Sequence, residues 1–482
     1  MDGLECSEIL LSHAKREESR FDSEYYSKEN LLLQTIIDTA GNKTINEYGG
    51  VLDCSAFYPS ITGYYSNDRS LIPFIRVNEI ANGLILITDN TVFLPANIIE
   101  DNNKTIAVAY PGDIIIAKGG NTLAKVGLVT DEFPMYATCR DVIILRTTSL
   151  QGLNRHYLWS FLHSSFGQRM LWRSASQTGQ PHLTLPAITK IKVPEYKKLQ
   201  DKIEKLYTLS VCKKQESNSA YRDAETILLT FLCISEKAYK STGIAVKSIS
   251  ESFRVTGRLD AEYYQPKYDA LFETLSRFKC AKLGGANGLV NITKSIEPGS
   301  EAYVEEGIPF VRVSDVSRFE LSEPEIKLRS DILPNPEVLF PQKDTILLSK
   351  DGSVGIAYKV ETPMSVITSG ALLHLKIRDK STILPDYLTL VLNSPIVQLQ
   401  AERDSNGAII QHWKPSEIEN VIIPILEMNI QKEIAAKVQE SFTLRKQSKQ
   451  LLEYAKQAVE IAIEQGEGVA LKWLKDKLPV EV

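Results

Sequence analysis

Between Arg140 and Lys192, seven basic residues (Arg140, Arg146, Arg155, Arg169, Arg173, Lys190 and Lys192) face a single acid, Asp141, for a net charge of +6. His156, Tyr157, Trp159, His163, Trp172 and His182 are interleaved with them. Cationic side chains that neutralise phosphates, mixed with flat rings that stack on bases or enter a groove, suit nucleic acid. Arg169 and Arg173 stand at i and i+4 and project together from a helix. The loop that follows, Ser176-Gln177-Thr178-Gly179-Gln180-Pro181-His182, offers amides and a hydroxyl to base edges, with Gln177, Thr178, Gln180 and His182 as candidate readers. A second polar loop follows Arg403, with Ser405, Asn406, Gln411, His412 and Lys414 as its candidates. A solvated helix face beside a polar loop accounts for the charge alone about equally well.

Two strand-closing turns extend the set: Lys118-Gly119-Gly120, and Lys350-Asp351-Gly352 with Lys350 and Asp351 as candidates. Such a turn brings backbone N–H groups close to a phosphate, although an ordinary β-turn has the same composition. Neither is a P-loop, because G-x-x-x-x-G-K-[ST] is absent. Arg76 with Asn78, and Arg312 with Ser314, follow two Ile-Pro-Phe segments and could contact DNA or pair with a local carboxylate. Catalytic signatures are missing: there is no Gly-rich loop for S-adenosylmethionine or a dinucleotide, and no Asn/Asp-Pro-Pro-Tyr/Phe adenine-methylation motif. Asp315 with Glu325-Ile326-Lys327 has nuclease-like spacing, but short patterns of this kind arise by chance. The six histidines and six cysteines show no metal-ligand or C-x-x-C spacing, so no metal site is expected, and the thiols are expected to be buried and reduced.

At 482 residues, 43% apolar and 24% charged, the chain can form two or three domains with real cores. Its 55 basic and 60 acidic side chains exclude a protein that coats nucleic acid through bulk charge. The charge is unevenly spread: residues 1 to 100 hold 7 basic and 15 acidic side chains, whereas residues 101 to 200 hold 12 and 6. No apolar run approaches the roughly 18 residues of a membrane span, and the first residues lack a signal-peptide pattern, so a cytoplasmic location is expected.

The elements that must position these residues are written twice. Arg20-Phe21-Asp22-Ser23-Glu24-Tyr25-Tyr26 returns as Arg258-Leu259-Asp260-Ala261-Glu262-Tyr263-Tyr264, with five of seven positions identical. Ile72 to Val77 returns as Ile308 to Val313, and the strand ending at Lys118 returns as the one ending at Lys350. A period of this length marks a duplicated globular domain. Short apolar runs (Leu84 to Thr88, Asp113 to Ala117, Val126 to Thr130, Val142 to Leu145; Thr345 to Ser349, Gly355 to Val360, Ala371 to Ile377) predict strands. Late in each copy, Arg155 to Ser174 and Asp386 to Glu402 predict helix, broken in both at Ser164-Ser165 and Ser394-Pro395. Glu195 to Thr242 and Ile425 to Gln465 lack Pro and Gly and each predicts one long helix. Ser210, Ser217, Ser441 and Ser448 fall near their seams, where small residues permit close approach or simply face solvent. The Arg-x-Asp-x-Glu-Tyr-Tyr segments are expected to pack each domain against its long helix, with Arg–Asp pairs holding the turn.

Two divergent β-rich domains, each followed by a long helix, resemble the specificity subunit of type I restriction-modification systems over nearly the whole chain. The resemblance rests on Asp113 to Gly120 and Ile346 to Gly352, which look like the family's G-D-I-L-L-S-K-D-G segment. It rests also on Thr178-Gly179 to Pro194 and Asn406-Gly407 to Pro424, which look like its T-G-x-x-x-x-H-L exit. Departures are Lys343-Asp344-Thr345, where Gly-Asp is usual, and Asn406-Gly407 in place of Thr-Gly. The resemblance implies an α+β fold with two homologous mixed β-rich target-recognition domains in pseudo-twofold arrangement, separated by two long antiparallel, coiled-coil-like helices. The expected boundaries are residues 1–196 for the first recognition domain, 197–247 for the first long helix, 248–424 for the second domain, and 425–482 for the second helix and tail. It implies a non-catalytic bacterial or archaeal subunit that reads an asymmetric bipartite target in double-stranded DNA. Two methyltransferase subunits dock on it, and two restriction-translocase subunits complete the restriction complex. S-adenosylmethionine, ATP and magnesium are expected on those partners and no cofactor on this chain. Related type IIB or IIG and other phage-defence methylation systems use similar subunits, and a helical adaptor that binds no DNA is the alternative from another class.

Overall fold

The computed structural model describes residues 7–16, 20–41, 43–88, 90–176, 181–234, 243–405 and 411–478. The chain divides into two compact units, Met1–Lys213 with Gln447–Val482, and Lys214–Lys446. Each unit holds one copy of the repeat and a part of each long helix.

In unit 1, α1 (Lys28–Ala40) precedes the strands of the two larger sheets: β1 (Val51–Asp53), β2 (Ile72–Ile75), β3 (Ile80–Ala81), β4 (Leu84–Ile85), β5 (Phe93–Leu94), β6 (Val108–Ala109), β7 (Ile114–Ala117), β8 (Val126–Leu128), β9 (Tyr136–Thr138) and β10 (Val142–Arg146). They form a six-stranded sheet, β1-β10-β7-β8-β4-β3, and a four-stranded sheet, β5-β2-β9-β6. Every residue of β7 is buried, as its unbroken Ile-Ile-Ile-Ala run requires. Helices α2 (Arg155–His163) and α3 (Ser165–Ser174) meet at Ser164, whose hydroxyl accepts the Gly167 N–H and caps the second helix. The long α4 (Lys197–Phe231) then leaves the domain.

Unit 2 repeats the plan. After α5 (Pro266–Leu275) come β11 (Val290–Lys294), β12 (Tyr303–Val304), β13 (Ile308–Val311), β14 (Lys327–Leu328), β15 (Ile346–Ser349), β16 (Ala357–Lys359), β17 (Ile367–Thr368) and β18 (Leu372–Ile377). They form sheets β11-β18-β15-β16 and β12-β14-β13-β17. Helices α6 (Pro385–Asn393) and α7 (Pro395–Asp404) break at Ser394-Pro395, as expected. The copies share a tyrosine anchor: Tyr157 Oη donates to the Pro194 carbonyl and Tyr387 Oη to that of Pro424, both at 2.9 Å. A glutamine of the adjoining long helix caps the first helix of each pair, Gln200 on Asn154 N–H and Gln431 on Leu384 N–H.

The long helices are α4 and α8 (Met428–Gln465), the latter followed by α9 (Glu467–Lys477) after Gly466. In unit 1, Leu199, Ile203 and Leu206 pack with Leu452, Ala455 and Val459, and Ser210 pairs with Ser448 at 2.9 Å. In unit 2, Ala224 and Leu228 pack with Ile434 and Val438, and Ser217 pairs with Ser441 at 3.0 Å. All four seam serines are buried, so close approach is the use made of them. They lie seven residues apart on each helix and pair in reverse order, which makes the helices antiparallel.

Three expectations are corrected. The first long helix ends at Phe231, well before Thr242: Cys233 takes a left-handed φ of 54° and Ile234 N–H bonds back to Leu229. This is a Schellman stop built without glycine, so the Gly/Pro rule could not see it; residues 235–242 lie outside the described residues. Among the described cysteines only Cys139 is buried, and Cys212 and Cys233 are exposed. The Arg-x-Asp-x-Glu-Tyr-Tyr segments hold their turns as expected, with Arg20–Asp22 at 2.9 Å and Arg258–Asp260 at 2.5 Å. They seat, however, against the C-terminal ends of α3 and α7 and not on the long helices: Arg20 donates to the Ala175 carbonyl and Arg258 to that of Asp404.

Candidate nucleic-acid interface

In each copy one corner of the domain gathers residues that are far apart in sequence. In unit 1, β2 and β9 run parallel and deliver Arg76 and Arg140 to the same end. The Lys118 N–H at the close of β7 donates to the Asp141 carbonyl beside Arg140. The Lys118 carbonyl accepts from Leu183 N–H, which lays His182 across Gly119. Unit 2 repeats each step. Parallel β13 and β17 deliver Arg312 and Ser369-Gly370, Lys350 N–H donates to the Ala371 carbonyl, and the Lys350 carbonyl accepts from Trp413 N–H. His412 then lies across Asp351. Gly120 and Gly352, at φ 70° and 74°, make the tight turn after each lysine.

The side chains at these corners differ. In unit 1, Arg140 and His182 are exposed, Lys118 reaches Cys54 Sγ at 3.9 Å, and Arg140 lies 5.8 Å from the ring of Phe57, itself 77% exposed. In unit 2 the place of Arg140 is taken by Gly370. There the Lys350 ammonium contacts one oxygen of Asp351, and the other lies 2.8 Å from His412 Nδ1. Burial pushes the Asp351 carboxyl up, but Lys350 and His412 outweigh it and hold the group below the usual carboxylate range. Unit 1 therefore presents a cationic corner and unit 2 an internally neutralised one.

The remaining candidates divide between the rim and the interior. Asn78 and Ser314 are exposed beside Arg76 and Arg312. Arg76 is paired with buried Glu79 at 3.0 Å, and Arg312 is exposed above Asp315, which accepts its backbone N–H. Gln411 lends its carbonyl to Gly352 N–H, and Lys414 starts the short helix Pro415–Glu419 with Glu417 3.7 Å from its ammonium. Ser405 closes α7. Gln177, Thr178, Gln180 and Asn406 lie outside the described residues.

Four arginines among the candidates and their neighbours do not reach these corners. Arg173 is buried and held by the Tyr25 carbonyl and Gln34, and Tyr25 is sandwiched between Arg20 at 4.3 Å and Arg173 at 4.1 Å. It ties α3 to Tyr25 and Gln34 and is not itself a surface group. Arg403 repeats the role less completely, over Tyr263 and Phe272 with its own neighbour Asp404 as ion partner. Arg155 is exposed but sits against Gly112, at the opposite end of β7 from Lys118. Arg169 is paired with Glu29 at the surface at 2.7 Å. The basic and aromatic stretch is thus largely structural: Arg146 bridges Asp53 and Asp113, while Tyr157 and Trp159 are core. His156 stacks on Tyr207 at 4.0 Å, and burial pushes both His156 and His163 down to about 4.

Sequence reasoning missed Phe57. Its signal was an aromatic pair, Phe57-Tyr58, before Pro59 in a loop, where no core strand needs it. The departure at Lys343-Asp344 leaves the backbone unchanged: Asp344 adopts the left-handed φ of 65° that Gly112 adopts at 90°, and pairs with Lys380 at 2.6 Å. Among the described residues no group of three or more His, Cys, Asp or Glu could hold a metal ion, and no helix is long and apolar enough to cross a membrane.

Residues 287–454 match the family model described as type I restriction modification DNA specificity domain. Among solved structures, the type I restriction-modification S subunit from M. genitalium is 13% identical, covering 92% of this chain and 97% of that one, with a TM-score of 0.31. The HsdS subunit from Thermoanaerobacter tengcongensis is 16% identical over 87% and 97%, with a TM-score of 0.27. A chain from a structure of type I R-M complex assembly is 14% identical over 89% and 95%, with a TM-score of 0.28. The family match is confined to residues 287–454, about a third of the chain. Among curated proteins none matches.

Proposed function

We infer that this chain, whose residues 287–454 match the type I restriction modification DNA specificity domain and whose first half repeats the same construction, acts as the specificity subunit of such a system. One observation supports this above the others. The same backbone bridge, Lys118 to Leu183 and Lys350 to Trp413, carries different exposed side chains in the two copies. Two equivalent scaffolds with divergent polar corners suit two readers of different half-sites, hence an asymmetric, bipartite target. Lys118, Arg140, His182 and Phe57 are the proposed contacts of the first reader. Lys350, Asp351, Gln411 and His412 are those of the second, with Asn78 and Ser314 on the rims.

The subunit contributes recognition and not catalysis. Methylation and cleavage belong to partner methyltransferase and restriction subunits, two of each in the full complex, which bring S-adenosylmethionine, ATP and magnesium. The long helices α4 and α8 serve as the spacer between readers and as the dock for the methyltransferases. Two major-groove readers carried on one chain recognise a split site without further assembly.

The test is a gel-shift series with the full chain and its methyltransferase partner on random and bipartite duplexes. A preference for one bipartite sequence, with affinity falling steeply as salt rises, is expected; binding to no duplex would leave the adaptor reading. Inserting one turn into α4 should shift the preferred spacer and leave both half-sites unchanged.

A further inference from the structure

The corner residues of unit 2 fix one more property of the reader. A neutral imidazole has one donor and one acceptor nitrogen, and a carboxylate only accepts. With Asp351 2.8 Å from His412 Nδ1 and held ionised by Lys350, the imidazole proton belongs on Nδ1. The backbone bridge between Asp351 and His412 holds the pair in register, and the imidazole remains 61% exposed. Nε2 is then an acceptor offered outward.

We propose that Asp351 sets the base preference of the second reader: by taking the Nδ1 proton of His412 it presents Nε2 to a base edge carrying an amino donor, adenine N6 or cytosine N4, in the major groove. This rests on the DNA-specificity reading. The first reader is the internal control. There the equivalent of Asp351 is Gly119, where a Cβ would stand 2.9 Å from His182 Nδ1, so the same juxtaposition exists without a carboxylate. Among the described residues neither ring nitrogen of His182 faces a carboxylate as His412 does, and Lys118 and Arg140 stand at the same corner as donors. Donors of this kind fit guanine O6 and N7, so the two corners select opposite hydrogen-bonding patterns.

Two measurements test this. Long-range proton–nitrogen correlation spectra of the histidine-labelled full chain at pH 8, with His412 assigned through His412→Gln, should show the Nδ1–H tautomer. An Nε2–H tautomer or an imidazolium would overturn the proposal, and this readout needs no DNA. Selection from randomised half-sites, using the chain with its methyltransferase partner, should show Asp351→Asn losing about tenfold discrimination at one A- or C-bearing position of one half-site, with the other half-site unchanged. Gly119→Asp, at an extended backbone position of φ −171°, should move the first half-site toward an amino-bearing base as His182 swings to meet the new carboxylate. If wild type prefers a bipartite sequence but Asp351→Asn selects the same bases, the proposal fails alone. If wild type prefers no bipartite sequence, the specificity reading fails with it.

Discussion

Units 1 and 2 share a backbone and differ in where they put charge. In unit 1 the second residue of the first paired helix is His156, a half-buried ring stacked on Tyr207 of α4 and pushed down to about 4 by burial. In unit 2 the corresponding residue is Asp386, a buried carboxylate 2.5 Å from Lys359 and 2.8 Å from Gln439 of α8. Burial pushes the Lys359 ammonium down, but Asp386 and Glu361 outweigh it and hold it above its ordinary value. Both devices lock a recognition domain onto a long helix, one by stacking and one by an ion pair. The helix-to-domain joint therefore specifies a geometry and not a chemistry, and duplicated copies were free to diverge even inside the protein.

The largest effect that would break this comparison lies at the ion pair. Asp386→Ala leaves Lys359 buried without its main partner and should cost roughly 3–5 kcal/mol of unit 2 stability, read by denaturant unfolding. Lys359→Met with Asp386→Leu should recover most of that loss. His156→Phe should go the other way: it keeps the stacked ring and removes a buried Nδ1 without a hydrogen-bond partner, so unit 1 should be unchanged or stabilised by about 1 kcal/mol. If both sites respond alike, the two joints do not differ as described.

Next come the sandwiched tyrosines. Arg173→Ala removes a buried guanidinium with three anchors and should cost about 2–3 kcal/mol. Arg403→Ala, at 21% side-chain exposure and paired with its own neighbour, should cost about 1 kcal/mol or less. Thermal unfolding of the two variants ranks them, and DNA binding should fail with Arg173→Ala only as far as the fold does.

Acidification sharpens the contrast further. His156 and His163 in unit 1 and His374 in unit 2 are all pushed down to about 4 by burial. A histidine whose folded pKa is depressed stays neutral in the fold while the unfolded chain protonates near 6.5. Its stabilisation is present above pH 6.5 and is lost as pH falls from 6.5 toward 4. With two such groups against one, unit 1 peptides should lose hydrogen-exchange protection before unit 2 peptides in that window. The smallest effect is expected at the seam: replacing both members of Ser210/Ser448 or of Ser217/Ser441 by Ala should change stability by less than about 1 kcal/mol, equally for the two pairs.

Much of the fold was legible as pattern. The repeats, the strand runs ending at Lys118 and Lys350, the helix break at Ser394-Pro395 and the heptad-spaced serines all depend on neighbours in sequence, and each appears where local rules put it. The end of α4 was not legible, because Cys233 occupies a position that glycine usually marks. The interface was legible in part. Lys118, His182, Lys350 and His412 meet as pairs across two backbone bridges, which no spacing rule announces. Arg173 was misread because helical spacing says which residues share a face but not what lies opposite that face. Its partner carbonyl at Tyr25 is 148 residues away.

The sequence by itself determined that this protein is a duplicated α+β chain with two long helices and a locally basic region, because periodicity, breakers and repeats are one-dimensional signals. The tertiary structure alone decided which cations are structural and which are offered to a ligand. Burial and partner choice depend on segments brought together from across the chain. A guanidinium committed to Tyr25 and Gln34 and one standing beside exposed Phe57 carry the same charge in a sequence, and only packing separates them.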